Sequence, residues 1–138
     1  MVKAELNRQL MIQLKNTTGT LADITNIISS SGINMIALCA YALENTVAIM
    51  FVTEDNNEAK RLLEEKGFDV QEEEVILLTI ENKPGALRQV TNKIAEAGIG
   101  LNLMYGSTDP NAETSPLVLI SQNNLDVMMI IKTELERT

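Results

Sequence analysis

Two short turns hold the residues of this chain whose types and spacing suit chemistry: Asn82-Lys83-Pro84-Gly85-Ala86-Leu87 and Asn16-Thr17-Thr18-Gly19-Thr20-Leu21. Each sets an amide side chain, able to donate and accept, three residues before a glycine that permits close backbone approach. Side-chain reaction chemistry has little else to stand on. With no histidine and a single cysteine, Cys39, the chain excludes Ser-His-Asp and Cys-His nucleophilic arrangements, and it lacks the ligand sets of zinc and iron–sulfur sites. Cys39 sits in an apolar run and reads as a small core residue, and Glu72-Glu73-Glu74 reads as a solvated edge. A phosphate-handling enzyme would need arginine in the turn itself, whereas Arg88 lies one position beyond it. The expectation is therefore no catalysis, no metal and no cofactor.

Each turn joins a strand to a helix. Leu10, Ile12 and Leu14 alternate with polar or longer residues, and Leu21, Ile24, Ile27 and Ile28 form one apolar stripe that Ser29-Ser30-Ser31-Gly32 ends. Thr20 with Asp23 reads as a capping pair. Ile33 to Leu43 follows as a strand apolar on both faces, hence expected to be buried on both. Glu44-Asn45 suits a tight hairpin into Thr46–Thr53, then a helix over 57–66 and a strand over 68–71. The second half repeats the order. It has a strand over 75–81, a helix with Leu87, Val90, Ile94 and Ala97 on one face, and a strand over 99–107. A longer hairpin over 108–114, a strand from Pro116 and a helix over 124–136 complete it. Gly32 and Gly98 read as helix C-caps. Met128, Met129 and Tyr105 read as packing residues.

The halves are related in detail, because Asn16, Gly19, Leu21, Thr25, Asn26, Ile28, Gly32 and Ile33 recur as Asn82, Gly85, Leu87, Thr91, Asn92, Ile94, Gly98 and Ile99. Duplicated domains explain such a repeat, and length sets the boundaries at 1–66 and 67–138. At the same offset Val2 and Ala4 fall on Phe68 and Val70, so the repeat begins one strand early. The expected unit is a permuted one in which each leading strand, 2–6 and 68–71, completes the sheet of the other module. The fold class is α+β: two ferredoxin-like βαββαβ modules, antiparallel sheets with helices on one face.

The Asn-x-Pro-Gly-x-Leu turn, together with the helix-to-strand junction Gly32-Ile33-Asn34 and its counterpart Gly98-Ile99-Gly100, resembles the ACT domain family, nearly the whole chain being covered twice. Thr18 stands where the pattern has Pro, and Gly100 where it has Asn, with Asn102 two residues on. The resemblance implies binding of a small molecule, usually a free amino acid, at an interface between modules or chains, without chemistry. By position it carries over Asn82, Pro84, Gly85, Ala86, Leu87, Gly100 and Asn102 in the second module. In the first it carries over Asn16, Thr18, Gly19, Thr20, Leu21 and Asn34. The unpaired N–H groups that open the helix suit a ligand carboxylate, and Asn82 suits its ammonium. Gly100 and Asn102 leave room for a ligand side chain, which favours the second module as the binder.

Composition narrows the partners. A formal charge of −8, two Phe, two Tyr and no Trp disfavour nucleic acid and anionic membranes. No apolar run reaches a spanning length and the start has no signal-peptide pattern, so the expected compartment is the cytoplasm. The leading expectation is an amino-acid sensor, a homodimer, acting on a partner enzyme or regulator of amino-acid metabolism. The alternative is a ligand-free oligomerisation module built on the sheet face.

Overall fold

The computed structural model describes residues 2–136. In chain order it comprises β1 (Val2–Lys15), α1 (Thr20–Ser30), β2 (Met35–Leu43), β3 (Thr46–Thr53), α2 (Asn56–Glu65), β4 (Gln71–Glu81), α3 (Ala86–Glu96), β5 (Leu101–Gly106), β6 (Thr114–Ser121) and α4 (Asn124–Ile130). A π-helical turn, Ile131–Leu135, follows α4. Strand β3 lies between β1 and β2, and β6 between β4 and β5, with every one of these pairings antiparallel. This is the tandem ferredoxin-like α+β arrangement.

Packing divides the chain differently from the repeat. One unit is Arg8–Glu73; the other joins the chain up to Asn7 with everything from Glu74 onward. In the first unit Leu10, Ile12, Ile24, Ile28, Phe51 and Leu63 form a core that Val70 joins and Phe68 packs against. In the second, Val2 and Ala4, 3% and 1% exposed, lie among Ile76, Leu78, Val90, Ile94, Leu119 and Val127. The leading segments are thus exchanged between the cores, although only 2–6 is a strand: 68–70, expected as one, lie outside the strands and β4 begins at Gln71. The repeat boundaries 1–66 and 67–138 cut through both cores. The structure joins what the pattern separated, since 2–6 and 10–14 are parts of one unbroken strand. The reason is parity: Val2, Ala4, Leu10, Ile12 and Leu14 are all even-numbered, so the apolar residues of both segments share one side of β1, interrupted only where the exposed Arg8 falls between them.

Three further expectations change. Burial on both faces belongs to β3, where every residue from Ala48 to Thr53 is buried. By contrast β2, paired with β3 alone, exposes Ile36, Leu38, Tyr41 and Leu43. The last helix does not run evenly over 124–136 but widens into the π-helical turn after Ile130, and Met129 is 59% exposed while Met128 is buried. Thr20 and Asp23 make no capping pair. The N-cap of α1 is Gly19, and the Thr20 hydroxyl turns back to the Thr17 carbonyl, 2.9 Å away.

Two asparagines, not anticipated, fasten each unit's strands. Asn56 accepts from the Thr53 N–H and hydroxyl, both at 2.9 Å, and donates to the Arg8 carbonyl at 2.8 Å. Asn124 repeats this with the Ser121 N–H and hydroxyl, at 2.8 Å, and the Glu74 carbonyl, at 3.4 Å. The adjacent Asp55 and Asn123 cap their helices by accepting from Glu58 and Asp126 N–H.

Because Ala4 is enclosed by the core of the unit that begins at Glu74, Ala4→Asp should destabilise the protein by about 3 kcal/mol or more in urea unfolding. An unchanged midpoint would show that the leading strand adds nothing to that core.

Candidate functional site

The two turns are near copies in backbone. Gly19 has φ 92 and ψ −6, Gly85 has φ 87 and ψ −10, and each is the N-cap of the helix that follows. Positive φ is the reason for glycine here, because a side chain would strain the left-handed backbone. Thr20 and Ala86 N–H both donate back to the turn, to Thr17 and Lys83 carbonyls at 3.3 Å. Asp23 and Gln89 N–H then donate to the Gly19 and Gly85 carbonyls, at 2.9 and 3.3 Å. The intervening N–H groups, of Leu21 and Ala22 and of Leu87 and Arg88, have no acceptor among the described residues. They carry the partial positive charge of the helix start. Leu21 and Leu87 are equally exposed, at 37%, whereas the Ala86 side chain is buried in its unit's core.

Around these shared backbones the surroundings diverge. In the unit Arg8–Glu73 a cleft of about 230 Å³ is lined by Asn16 to Leu21 on one wall and by Ala40, Val47 and Ile49 on the other. The hairpin beside it turns at Glu44 and Asn45 and is too short to reach across; its Asn45 carbonyl accepts from Asn16 N–H at 2.8 Å. In the other unit the hairpin between β5 and β6 is longer and folds onto the turn. Asn82 N–H donates to the Glu113 carbonyl, and its side-chain Nδ2 donates to the carbonyls of Asp109 and Ala112 at 3.1 and 2.9 Å. Asn82 is therefore committed to holding its own loop, which its partner Asn16 is not.

The junctions differ in the same sense. Asn34 donates from Nδ2 to Glu54 Oε1 at 3.5 Å, and its carbonyl accepts from Glu54 N–H. At the equivalent place the Gly100 N–H donates to Gln122 Oε1 at 3.3 Å. A Cβ on Gly100 would lie 2.7 to 2.9 Å from the Gln122 amide. The space that Gly100 opens is thus filled by Gln122, a pairing with no local signal because the two residues are distant along the chain. Asn102 is exposed on β5, and Thr18 and Pro84 are exposed in their turns. Among the described residues no three His, Cys, Asp or Glu side chains converge as a metal site.

One strongly shifted carboxyl borders the second turn. The Lys83 ammonium hydrogen-bonds the Glu81 carboxylate and draws its pKa from the ordinary 4.5 down to about 2.

Residues 5–133 match the family profile described as an ACT domain pair. The chain belongs to the ACT domain pair family. Solved structures with this fold include a protein from Bacteroides thetaiotaomicron, 24% identical over 95% of this chain and 90% of that one, with a TM-score of 0.87. The regulatory subunit of aspartate kinase from Thermus thermophilus, in ligand-free form, is 13% identical over 98% and 97%, with a TM-score of 0.69. That from Thermus flavus is 14% identical over 98% and 97%, with a TM-score of 0.61. Among curated proteins none matches this chain. No helix among the described residues of this ACT domain pair is long and apolar enough to cross a membrane.

Two outcomes follow. Because Glu81 has its folded pKa below the unfolded value, its contribution is complete above about pH 5 and is lost as pH falls toward 2. Unfolding free energy should therefore fall more steeply over that range in the wild type than in Glu81→Gln, and parallel slopes would refute the pairing. Asn82→Ala should release the hairpin, seen as faster amide hydrogen exchange across 107–113 with the exchange of α1 unchanged; unaltered exchange in that loop would show that its anchor lies elsewhere.

Proposed function

We propose that this ACT domain pair is a non-catalytic regulatory protein that binds a free amino acid at the turn Asn16–Leu21 and transmits the bound state to a partner. The observation that supports this most is the cleft at that turn, where a polar wall and an apolar wall meet. The ligand carboxylate would lie on the Leu21 and Ala22 N–H groups, which have no acceptor, and its ammonium against Asn16 Oδ1. Ala40, Val47 and Ile49 offer an apolar wall of small and branched side chains, which favours a small aliphatic side chain. Binding at an α-amino acid's two charged ends gives class recognition, and the apolar wall gives choice within the class.

The second turn takes a supporting part in this reading. Asn82, Pro84, Gly85 and Leu87 share the backbone of the first turn, but the hairpin 107–113 and Gln122 occupy the approaches through which a ligand would reach them. The protein works as a homodimer in the cytoplasm, and its partner is an enzyme or regulator of amino-acid metabolism. Output follows from differential binding: a ligand that prefers one packing of the dimer shifts the partner's equilibrium by about 1 to 3 kcal/mol. The competing reading, an assembly module without ligand, draws on the apolar exposed strand β2.

Thermal unfolding against each of the twenty amino acids separates the two. One or a few should raise the melting temperature, by about 2.7 kcal/mol of stabilisation at a hundred times the dissociation constant, and Asn16→Ala should abolish the shift. No shift with any amino acid would favour the assembly module.

A further inference from the structure

We infer that the outer face of α4 is a docking surface for a second protein that presents an apolar anchor flanked by lysine or arginine. This rests on the reading above only for the existence of a partner; the surface and its chemistry are argued from the helix itself. Leu125 and Met129, one helical turn apart, are 63% and 59% exposed, while Val127, Met128 and Ile131 turn the other side of the chain into the core. Single exposed apolar residues are ordinary on any protein surface and mean nothing alone. The duplication supplies the comparison, because α2 is the same element in the other unit. Asp55 and Asn123 cap the two helices, and Asn56 and Asn124 tie them to their strands through the same bonds. Counted from those asparagines, the inner positions agree, since Ala59 and Leu63 of α2 become Val127 and Ile131, all four buried. The outer positions do not. Leu125 stands where α2 has Asn57 and Met129 where it has Arg61, all four exposed. Packing within the unit is satisfied by either choice, so it gives no reason for the apolar one.

Charge identifies the occupant. Glu58 of α2 and Asp126 of α4 hold one position, and in α2 the Arg61 guanidinium answers both Glu58 and Glu65. With Met129 in the place of Arg61, Asp126 has no cationic partner among the described residues, and neither has the exposed Glu134 beyond it. Lys132 is engaged with Glu136 at 3.0 Å. The exchange of arginine for methionine therefore does two things at once: it bares an apolar side chain and it frees the carboxylate beside it. An apolar anchor set among cations, on a protein surface or an amphipathic helix, complements both. Methionine suits such a contact, because its flexible thioether adapts to the shape it meets. A second copy of this chain fits worse, since two copies at net −8 would bring like charges together here.

NMR titration of the isotope-labelled full chain tests this, with a synthetic amphipathic peptide of leucine and lysine as the probe. The Met129 methyl and the amides of α4 should shift saturably, and less at high salt, while a peptide with glutamate in place of lysine should leave them unmoved. Leu125→Asn combined with Met129→Arg, which gives α4 the residues of α2, should weaken binding of the lysine peptide about tenfold or more with an unchanged circular dichroism spectrum. Met129→Arg alone repeats the test should the pair fail to fold. A lysine peptide that leaves α4 unperturbed, a glutamate peptide that binds equally well, or a variant that binds as tightly as the native protein would overturn the assignment. So would a concentration-dependent shift of Met129 without peptide, which would make the occupant a second copy. None of these readouts needs an amino acid, so failure of the ligand reading leaves them untouched, and their own failure leaves that reading standing.

Discussion

Each hydrophobic core of this protein is completed by a short segment that chain order places in the other repeat, and that exchange constrains the rest of the fold. Val2 and Ala4 belong with Ile76, Leu78 and Ile80, while Val70 belongs with Leu10 and Ile12. All eight are even-numbered. A strand has a side-chain period of two, so β1 serves two cores only if its parity holds from Val2 to Leu14. A slip of one residue would turn the apolar set of both halves outward. Small modules of this length bury a limited fraction of their surface, and the leading segment adds Val2 and Ala4 to the core of the unit that resumes at Glu74. The polar brackets around Asn56 and Asn124 act on the same register. Each ties a strand end to the backbone carbonyl of Arg8 or Glu74, next to where the chain passes from one unit to the other.

Given two copies of one turn, the difference between them comes from what lies beside each. Gly19 and Gly85 differ by a few degrees, and the helices start alike. The hairpin opposite is short in one case and long in the other, and length alone decides whether a loop carbonyl can reach the asparagine. Asn82 spends both Nδ2 protons on such carbonyls; Asn16 meets only a backbone oxygen, through its own N–H. An amide already bonded to backbone can exchange those bonds for a ligand's only at a loss of about 1 kcal/mol each, whereas an exposed amide exchanges water. The same logic holds at Gly100, whose N–H is already bonded to Gln122.

What could be read in the sequence was whatever rests on local backbone geometry or on period. The glycines of the two turns, the helix stripes and the even parity of Val2, Ala4, Phe68 and Val70 all reveal themselves within a window of a few residues, and the duplication confirms each by its copy. What could not be read depends on pairs far apart in the chain. The Asn82 amide and the carbonyls of Asp109 and Ala112, Gly100 and Gln122, and Asn124 and Glu74 are joined by the fold and by no local pattern. A missing side chain at Gly100 implies room for a ligand, and in the structure Gln122 occupies that room. Likewise an apolar strand signals burial without saying which strand ends at the edge, so the prediction of two buried faces fell on β2 and the burial on β3.

That misplacement has a physical reading of its own. Strands β2 and β3 are both uncharged and rich in apolar residues, and β3 satisfies that composition within one chain by lying between β1 and β2. In β2 the same composition meets solvent on one edge, where it costs stability relative to a polar strand and invites uncontrolled pairing. Natural sequences tolerate such an edge when a specific neighbour covers it, since burial of apolar surface contributes about 25 cal/mol per Å² and regular backbone pairing fixes the geometry.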